Sequence, residues 1–229
     1  MPDLGIIFQY HNTDTITLQN ASSVFHHTKF PYPIILIRRI DGGQAWYDSD
    51  LAMYYWYAQR KVECARWLYL EWDVFCNQWI DEFYKPVWDE DLAGSNVEYP
   101  HNSKWPWFSH APKLPAEVRP FACGVWPFNG VFMSDKMLAI LSKLFLKEKW
   151  NVISELRIAT AAKLYGITPV KHPFSSSYNN WVPTDKITEG AKSSSGIWHP
   201  IKTRINDYPL LPAMECLGES YVWPPKVSS

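Results

Sequence analysis

Three short apolar runs separated by helix-patterned segments predict an α/β fold with a mainly parallel central sheet flanked by helices. The runs are Leu4–Tyr10, Pro33–Arg38 and Trp67–Glu71. Each is brief and apolar and lacks the polar alternation of a half-exposed strand, which is the pattern of strands buried on both faces. Between them lie helix starts. Thr13 or Asp14 can cap a helix to about His27, with Ile16, Leu18, Ala21, Val24 and Phe25 as its apolar positions. Asp48 can cap a second to about Glu63, with an inward face of Leu51, Tyr54, Tyr55, Ala58 and Val62. Strands alternating with helices in this way form parallel sheets covered on both sides. The length of 229 residues, 47% hydrophobic and 20% charged, suits a single domain with a large core.

The second half is less regular. Cys76 to Phe83 reads as a short helix at best, and Pro100 to Pro120, rich in Pro, Trp and His, as a long surface loop. Ser134 can cap a helix to about Lys147, and Ser154 another to about Tyr165, ended by Gly166. The Ser- and Asn-rich stretch from Lys171 to Ser195 reads as mobile, with the compact Gly196–Lys202 motif after it. The proline-containing tail, 203–229, is expected to wrap the surface. No internal repeat and no second domain boundary is visible. The expected organisation is one domain over 1–229, with residues up to about 100 and from about 101 to 202 as its two halves.

A net charge of −1 provides no general field for nucleic acid or an anionic membrane. Of the 13 Trp, 13 Tyr and 11 Phe, part simply fills core, and an excess of Trp and Tyr also suits surfaces that stack on sugars and nucleobases, which present an apolar face and a polar edge. Cys64, Cys76, Cys123 and Cys216 form no CxxC pair and have no His at zinc-finger spacing, so they are expected reduced and packed, as in the cytoplasm. The first twelve residues lack the basic n-region of a signal peptide, and no apolar run is long enough to span a bilayer.

The chemistry concentrates at Glu71-Trp72-Asp73. Side chains on a strand alternate faces, so Glu71 and Asp73 point the same way and Trp72 the other. Two adjacent carboxylates repel unless a cation sits between them, so the triplet is either a solvated acidic turn or a site for a hard divalent ion such as Mg²⁺ or Mn²⁺. In open α/β sheets, ligands bind beyond the carboxyl ends of the strands, where Glu71, Asp73 and Tyr10-His11-Asn12 all lie. There is no Walker-type phosphate loop and no G-x-G-x-x-G, which argues against kinases and dinucleotide-dependent dehydrogenases. No Ser-His-Asp or Cys-His arrangement supports covalent catalysis.

Taken in order, Tyr10-His11-Asn12, Glu71-Trp72-Asp73, Gly130 before Ser134-Asp135, Ser154-Glu155 and His199-Pro200-x-Lys202 resemble a small nucleotide-sugar-dependent glycosyltransferase of the GT-A fold. The likeness is to the short enzymes of bacterial polysaccharide clusters and large DNA viruses, and it runs from about residue 4 to residue 202. That family usually carries Asp-x-Asp, whereas Glu71 here replaces the first Asp. The resemblance implies a metal-dependent hexosyl- or pentosyltransferase, acting from a UDP- or GDP-linked sugar on a glycan hydroxyl. It implies Mn²⁺ or Mg²⁺ held by Asp73, His199 and Glu71. Donor contacts are expected from Tyr10, His11, Asn12, Arg38, Asp48, Asp50, Glu71, Trp72 and Lys202, with Arg39 a further candidate. Asn129 and Gly130, with Trp105 and Trp107, would shape the sugar and acceptor pockets.

Glu155 matches the general base of an inverting transferase, and its helix N-terminus is expected to keep it ionised. Asp135 is the second candidate. The stretch from 174 to 196 is expected to close over bound donor. A carbohydrate-binding module, or a GT-A scaffold without activity, is the alternative reading.

Overall fold

A computed structural model describes residues 1–40, 47–101, 104–172, 184–216 and 218–223. Among the described residues seven strands form one sheet, in the order β11 (Glu219–Trp223), β2 (Ile34–Arg39), β1 (Leu4–Tyr10), β3 (Arg66–Glu71), β8 (Val131–Ser134), β5 (Leu92–Gly94), β9 (Val170–Lys171). Its centre is β1 (Leu4–Tyr10), with β2 (Ile34–Arg39) and β3 (Arg66–Glu71) parallel on either side. The run Leu4–Tyr10 is buried at every position, as expected of a strand covered on both faces. β8 (Val131–Ser134) pairs antiparallel with β3 and with β5 (Leu92–Gly94), and β9 (Val170–Lys171) lies parallel to β5. The expected α/β class, with a mostly parallel sheet flanked by helices, is the architecture observed.

Side chains alternate across the sheet into two cores. On one side Ile7, Ile35, Ile37, Trp67 and Tyr69 pack with α2 (Ser49–Ala58), α4 (Asp135–Phe145) and α5 (Ser154–Leu164). On the other, Ile6, Phe8, Leu36, Leu68 and Leu70 pack with α1 (Thr15–His26) and α3 (Ile80–Tyr84). Gly5 has no side chain because Trp67 fills the space, and a Cβ there would lie 2.3 Å from the indole. Beside the sheet, β4 (Phe75–Cys76) pairs antiparallel with β10 (Ile197–Trp198), and α6 (Thr184–Ser193) lies against them through Ile187 and Ala191. β6 (Asn96–Glu98) and β7 (Gly124–Trp126) form a second ribbon.

Several local expectations need correction. Asp14 caps α1 as expected, accepting from Thr17 N at 2.8 Å, and Ser134 caps α4, accepting from Met137 N at 3.1 Å. Asp48, however, makes no side-chain cap on α2, and Ser154 lies inside α5, whose N-cap is Ile153. The inward face of α2 is Ala52, Met53, Tyr54, Trp56 and Tyr57, while Tyr55 and Ala58 are exposed and the helix stops before Val62. The Pro100–Pro120 stretch carries 3₁₀ turns at Pro106–Lys113 and Arg119–Phe121. Of the segment read as mobile, 173–183 lies outside the described residues, while Thr184–Ser193 is helical. The tail does not merely wrap, because β11 (Glu219–Trp223) extends the sheet parallel to β2. Cys64, Cys76 and Cys123 are buried free thiols, but Cys216 is exposed. No helix among the described residues is long and apolar enough to cross a membrane.

The buried face of α1 is more polar than its sequence pattern implies, and it positions the site. Thr17, Gln19, Asn20, Ser22 and Ser23 are all buried. Asn20 Nδ2 donates to the carbonyls of Trp72, at 3.0 Å, and Ile201, at 2.9 Å. Ser23 Oγ accepts from Cys76 N at 2.8 Å, and Gln19 Oε1 from Ile205 N at 2.7 Å. One helix face thus holds the segment after β3 and the segment after β10 side by side. Replacing Asn20 by Ala leaves two buried carbonyls without this donor, and we expect a loss of about 2–4 kcal/mol. Urea unfolding would measure it, and an unchanged midpoint would mean that this tie is energetically idle.

Candidate active site

The parallel register aligns Gln9 with Glu71 and Tyr10 with Arg38, so the carboxyl ends of β1, β2 and β3 meet at one edge of the sheet. A cavity of about 410 Å³ opens there. Gln9, Tyr10, His11, Arg39 and Glu71 line it from the strand ends, and Trp72 and Asp73 from the turn that follows β3. Phe128 and Asn129 enter from the loop before β8, Ile153 and Glu155 from the start of α5, and His199 and Lys202 from the segment after β10. Trp107 adds an aromatic wall.

Strand β3 ends at Glu71, so Asp73 is not on a shared strand face as the sequence implied. The turn brings the two acids together instead. One ligand atom from each of Glu71, Asp73 and His199 lies within 4.8 Å of the others, a group that can hold a metal ion. His199 arrives because Trp198 pairs with Phe75 and Ile201 N donates to Asp73 O at 2.7 Å. His199 Nε2 stands 3.2 Å from Asp73 Oδ1, and Lys202 Nζ 3.6 Å from Asp73 Oδ2 and 5.5 Å from the Trp72 ring centre. Tyr69 donates to Glu71 Oε1 at 3.2 Å and Asn129 Nδ2 to Oε2 at 2.7 Å.

Burial alone would raise the Asp73 carboxyl, but His199 and Lys202 outweigh it and hold it below the ordinary range. Glu71 is raised, by burial first and by the Asp73 charge second. Burial disfavours the imidazolium of His199, yet Asp73 and Glu71 overcome this and raise its pKa. Two carboxylates and an imidazole in one group, with Asp73 buried and Glu71 and His199 half-buried, are a donor set that suits Mn²⁺.

Glu155 faces the same cavity. Its Oε2 accepts from Ser154 Oγ at 2.8 Å. Its expected ionisation at the helix start is not what the structure gives. Burial pushes the carboxyl up to about 7, against the lowering by Ser154 and its own backbone N–H, with the charges of Glu71 and Asp50 adding to the rise. The start of α5 is fixed by Arg157, 2% exposed, which pairs with Asp50 and with Asp48 Oδ1 at 2.9 Å. Asp135, the second base candidate, lies elsewhere, accepting from Trp67 Nε1 and Tyr57 OH at 2.8 Å each.

Other expected donor contacts fall outside the cavity lining. Asp50 is fully buried on Arg157, and Asp48 is engaged by the same guanidinium, so neither faces the cavity. Arg38 is exposed while Arg39 is buried in the lining, because successive residues of β2 point to opposite faces. Asn12 accepts from Thr17 Oγ1 at 2.7 Å and serves the start of α1. Gly130 contributes backbone only, its N–H bonded to Tyr69 O at 2.8 Å and its φ of +79° in the region that favours glycine. His11 packs edge-on to Trp72, with centroids 4.9 Å apart. Trp107 lines the cavity, but Trp105 lies over Gly124, where a Cβ would come within 2.4 Å of the indole.

Sequence reasoning passed over Gln9. It is 95% buried, its Oε1 has no hydrogen-bond partner and it lines the cavity. The signal was a lone amide inside an otherwise apolar strand.

No family model matches this chain, and no curated protein matches it in sequence. Among solved structures, it is similar to the 4-diphosphocytidyl-2C-methyl-D-erythritol synthase of Anaerococcus prevotii. The TM-score is 0.50 at 8% identity, over 84% of this chain and 96% of that one. A second similar structure is the glycosyltransferase GlyE of Streptococcus pneumoniae, with a TM-score of 0.46 at 12% identity. That match covers 95% of this chain, which spans 59% of the other's length. The first likeness is one of fold.

The half-buried Glu155 makes stability depend on pH in a definite direction. Its folded pKa of about 7 lies above the ordinary 4.5, so the folded state binds the proton more tightly. This contribution is fully present below about pH 4.5 and is lost as pH rises through about 7. Glu155→Gln removes the titration. We expect it to be more stable than wild type at pH 8 by about 1–3 kcal/mol, with the gap closing near pH 4.5. Thermal melts across pH check this, and a gap of opposite sign at pH 8 would contradict the burial argument.

Proposed function

We propose that this chain is a metal-dependent glycosyltransferase. It moves a sugar from a nucleoside-diphosphate sugar to a hydroxyl of a glycan acceptor, with inversion. The observation that carries this reading is the sharing of one cavity by two kinds of charge. The Glu71–Asp73–His199 group with Lys202 suits a diphosphate and its cation, and Glu155, with a pKa near neutrality, suits a proton acceptor. The fold likeness adds an architecture in which ligands sit at the carboxyl ends of parallel strands.

The residues present fit a divalent cation, since they join two carboxylates to an imidazole with one ligand atom of each within 4.8 Å of the others. Held by Asp73, His199 and Glu71, such an ion supplies charge neutralisation at the departing diphosphate. Lys202 adds a point charge on the same side. His11 and Trp72 offer aromatic surface for the base, and Gln9 an amide for its polar edge. Trp107 and Phe128 offer apolar faces for sugar rings.

Glu155 takes the proton of the acceptor hydroxyl as that oxygen bonds to the anomeric carbon. The bond from that carbon to the diphosphate oxygen breaks, and the nucleoside diphosphate leaves with the electron pair. A pKa near 7 matches this task, because the base is ionised in a useful fraction and still holds the proton it takes.

A thermal-shift screen of UDP- and GDP-sugars with and without Mn²⁺ tests the donor side. Linkage gives about 2.7 kcal/mol of stabilisation at 100 times Kd. The metal-dependent part is expected to vanish in Asp73→Ala, while a shift that survives this change would remove Asp73 from the site. A binding module or an inert scaffold would give no metal-dependent shift with any donor.

The base is tested by Glu155→Gln with an active donor–acceptor pair. Donor affinity is expected to hold, while kcat and kcat/KM fall together by about 10²–10⁴-fold. The rise of wild-type kcat/KM with pH through about 7 should also disappear. Transfer at near the wild-type rate would leave Glu155 as a helix-start acid only.

A further inference from the structure

Asn129 stands between two of the three candidate ligands. Its Nδ2 lies 2.7 Å from Glu71 Oε2 and 2.8 Å from His199 Nε2. The residue is 4% exposed, and the other end of its amide, Oδ1, is buried with no hydrogen-bond partner. A buried acceptor left unsatisfied is costly and calls for an explanation.

The distances bear on the opposite end of the amide, Nδ2, which faces Glu71 and His199. With metal–oxygen bonds of ~2.1 Å in an octahedral shell, adjacent ligand atoms stand ~3.0 Å apart. The 2.7 and 2.8 Å separations, like the 3.2 Å between His199 Nε2 and Asp73 Oδ1, are of hydrogen-bond length and also match that ligand-to-ligand spacing. The amide terminus sits where another ligand atom belongs, not where the ion itself belongs. A half-turn of the amide exchanges oxygen and nitrogen with almost no change of shape. The backbone beside it is fixed, since Gly130 N donates to Tyr69 O at 2.8 Å and Gly130 O accepts from Tyr84 OH at 3.0 Å.

We propose that Asn129 is a fourth protein ligand of the cation site, binding through Oδ1 after a half-turn of its amide. Without the ion, the same amide in its other orientation donates to Glu71 and stands 2.8 Å from His199 Nε2, and so keeps both in place. An amide can play both parts, whereas a carboxylate here would add to the repulsion between Glu71 and Asp73. This inference rests on reading Glu71, Asp73 and His199 as a cation site, and it gives Asn129 a role distinct from shaping a sugar pocket.

Mn²⁺ titration followed by EPR, with no nucleotide present, tests it on wild type, Asn129→Leu and Asn129→Asp. Wild type is expected to bind Mn²⁺, Asn129→Leu to bind it at least about tenfold more weakly, and Asn129→Asp, which keeps an oxygen, no more weakly than wild type. Equal or tighter binding by Asn129→Leu would overturn the proposal and leave the three-residue site standing. No binding by wild type would overturn both. Should Asn129→Leu melt abnormally, the wild-type protein gives a second readout. The side-chain NH₂ signal of Asn129 in ¹⁵N spectra, identified by its loss in Asn129→Asp, should shift on saturation with Mg²⁺. A signal that stays in place at saturation would overturn the proposal.

Discussion

The arrangement of the site depends on one buried cation, the guanidinium of Arg157. It is 2% exposed and donates to Asp50, itself fully buried, to Asp48 Oδ1 at 2.9 Å and to the carbonyls of Val152 and Trp150. Asp48 and Asp50 belong to the start of α2, and Trp150 and Val152 to the approach to α5. The planar fork of arginine reaches all of these at once, which the point charge of a lysine does not. Breaking such a pair leaves an uncompensated buried charge, at a cost of about 3–5 kcal/mol. The price of the clamp is that α2 gives up its capping acid. Its effect is to hold the first turn of α5, and with it Glu155, beside the strand ends.

The strand ends impose the second constraint. Glu71, Asp73 and Glu155 all line one cavity, and burial acts to raise each carboxyl. Their environments then separate them. Asp73 is held ionised by His199 and Lys202, Glu71 is moderated by the His199 charge and then by Asn129 and Tyr69, and Glu155 has only a hydroxyl and its own backbone N–H to oppose burial. Carboxyls of one cavity thereby acquire different proton affinities. Such a spread is what assigns one acid to bind charge and another to exchange a proton. The polar face of α1 makes the difference possible, because Asn20 fixes the two chain segments that carry Asp73 and His199.

Much of this was legible in the sequence where local physics decides it. The apolar runs gave β1 to the residue, and β2 and β3 to within one residue at their ends, because strands buried on both faces leave no competing pattern. The acids Glu71 and Asp73, at and just beyond the end of β3, and the late His199 and Lys202 come together in one cavity although they lie far apart in the chain. What failed was decided by tertiary partners. Asp48 has the chemistry of a cap, but Arg157 is a stronger partner than a backbone N–H. Arg38 and Arg39 are equivalent in composition, and only the pleat distinguishes which one enters the cavity. The ionisation of Glu155 was argued from the helix N-terminus, a local term of about 0.3–1 kcal/mol, whereas desolvation depends on what covers the residue and can shift a buried carboxyl by several pH units. Ile153, Phe128 and Trp107, which help close the cavity around that carboxylate, come from three separate segments. Residue patterns therefore located the acids at this edge, but their proton affinities follow from long-range packing that no local spacing encodes.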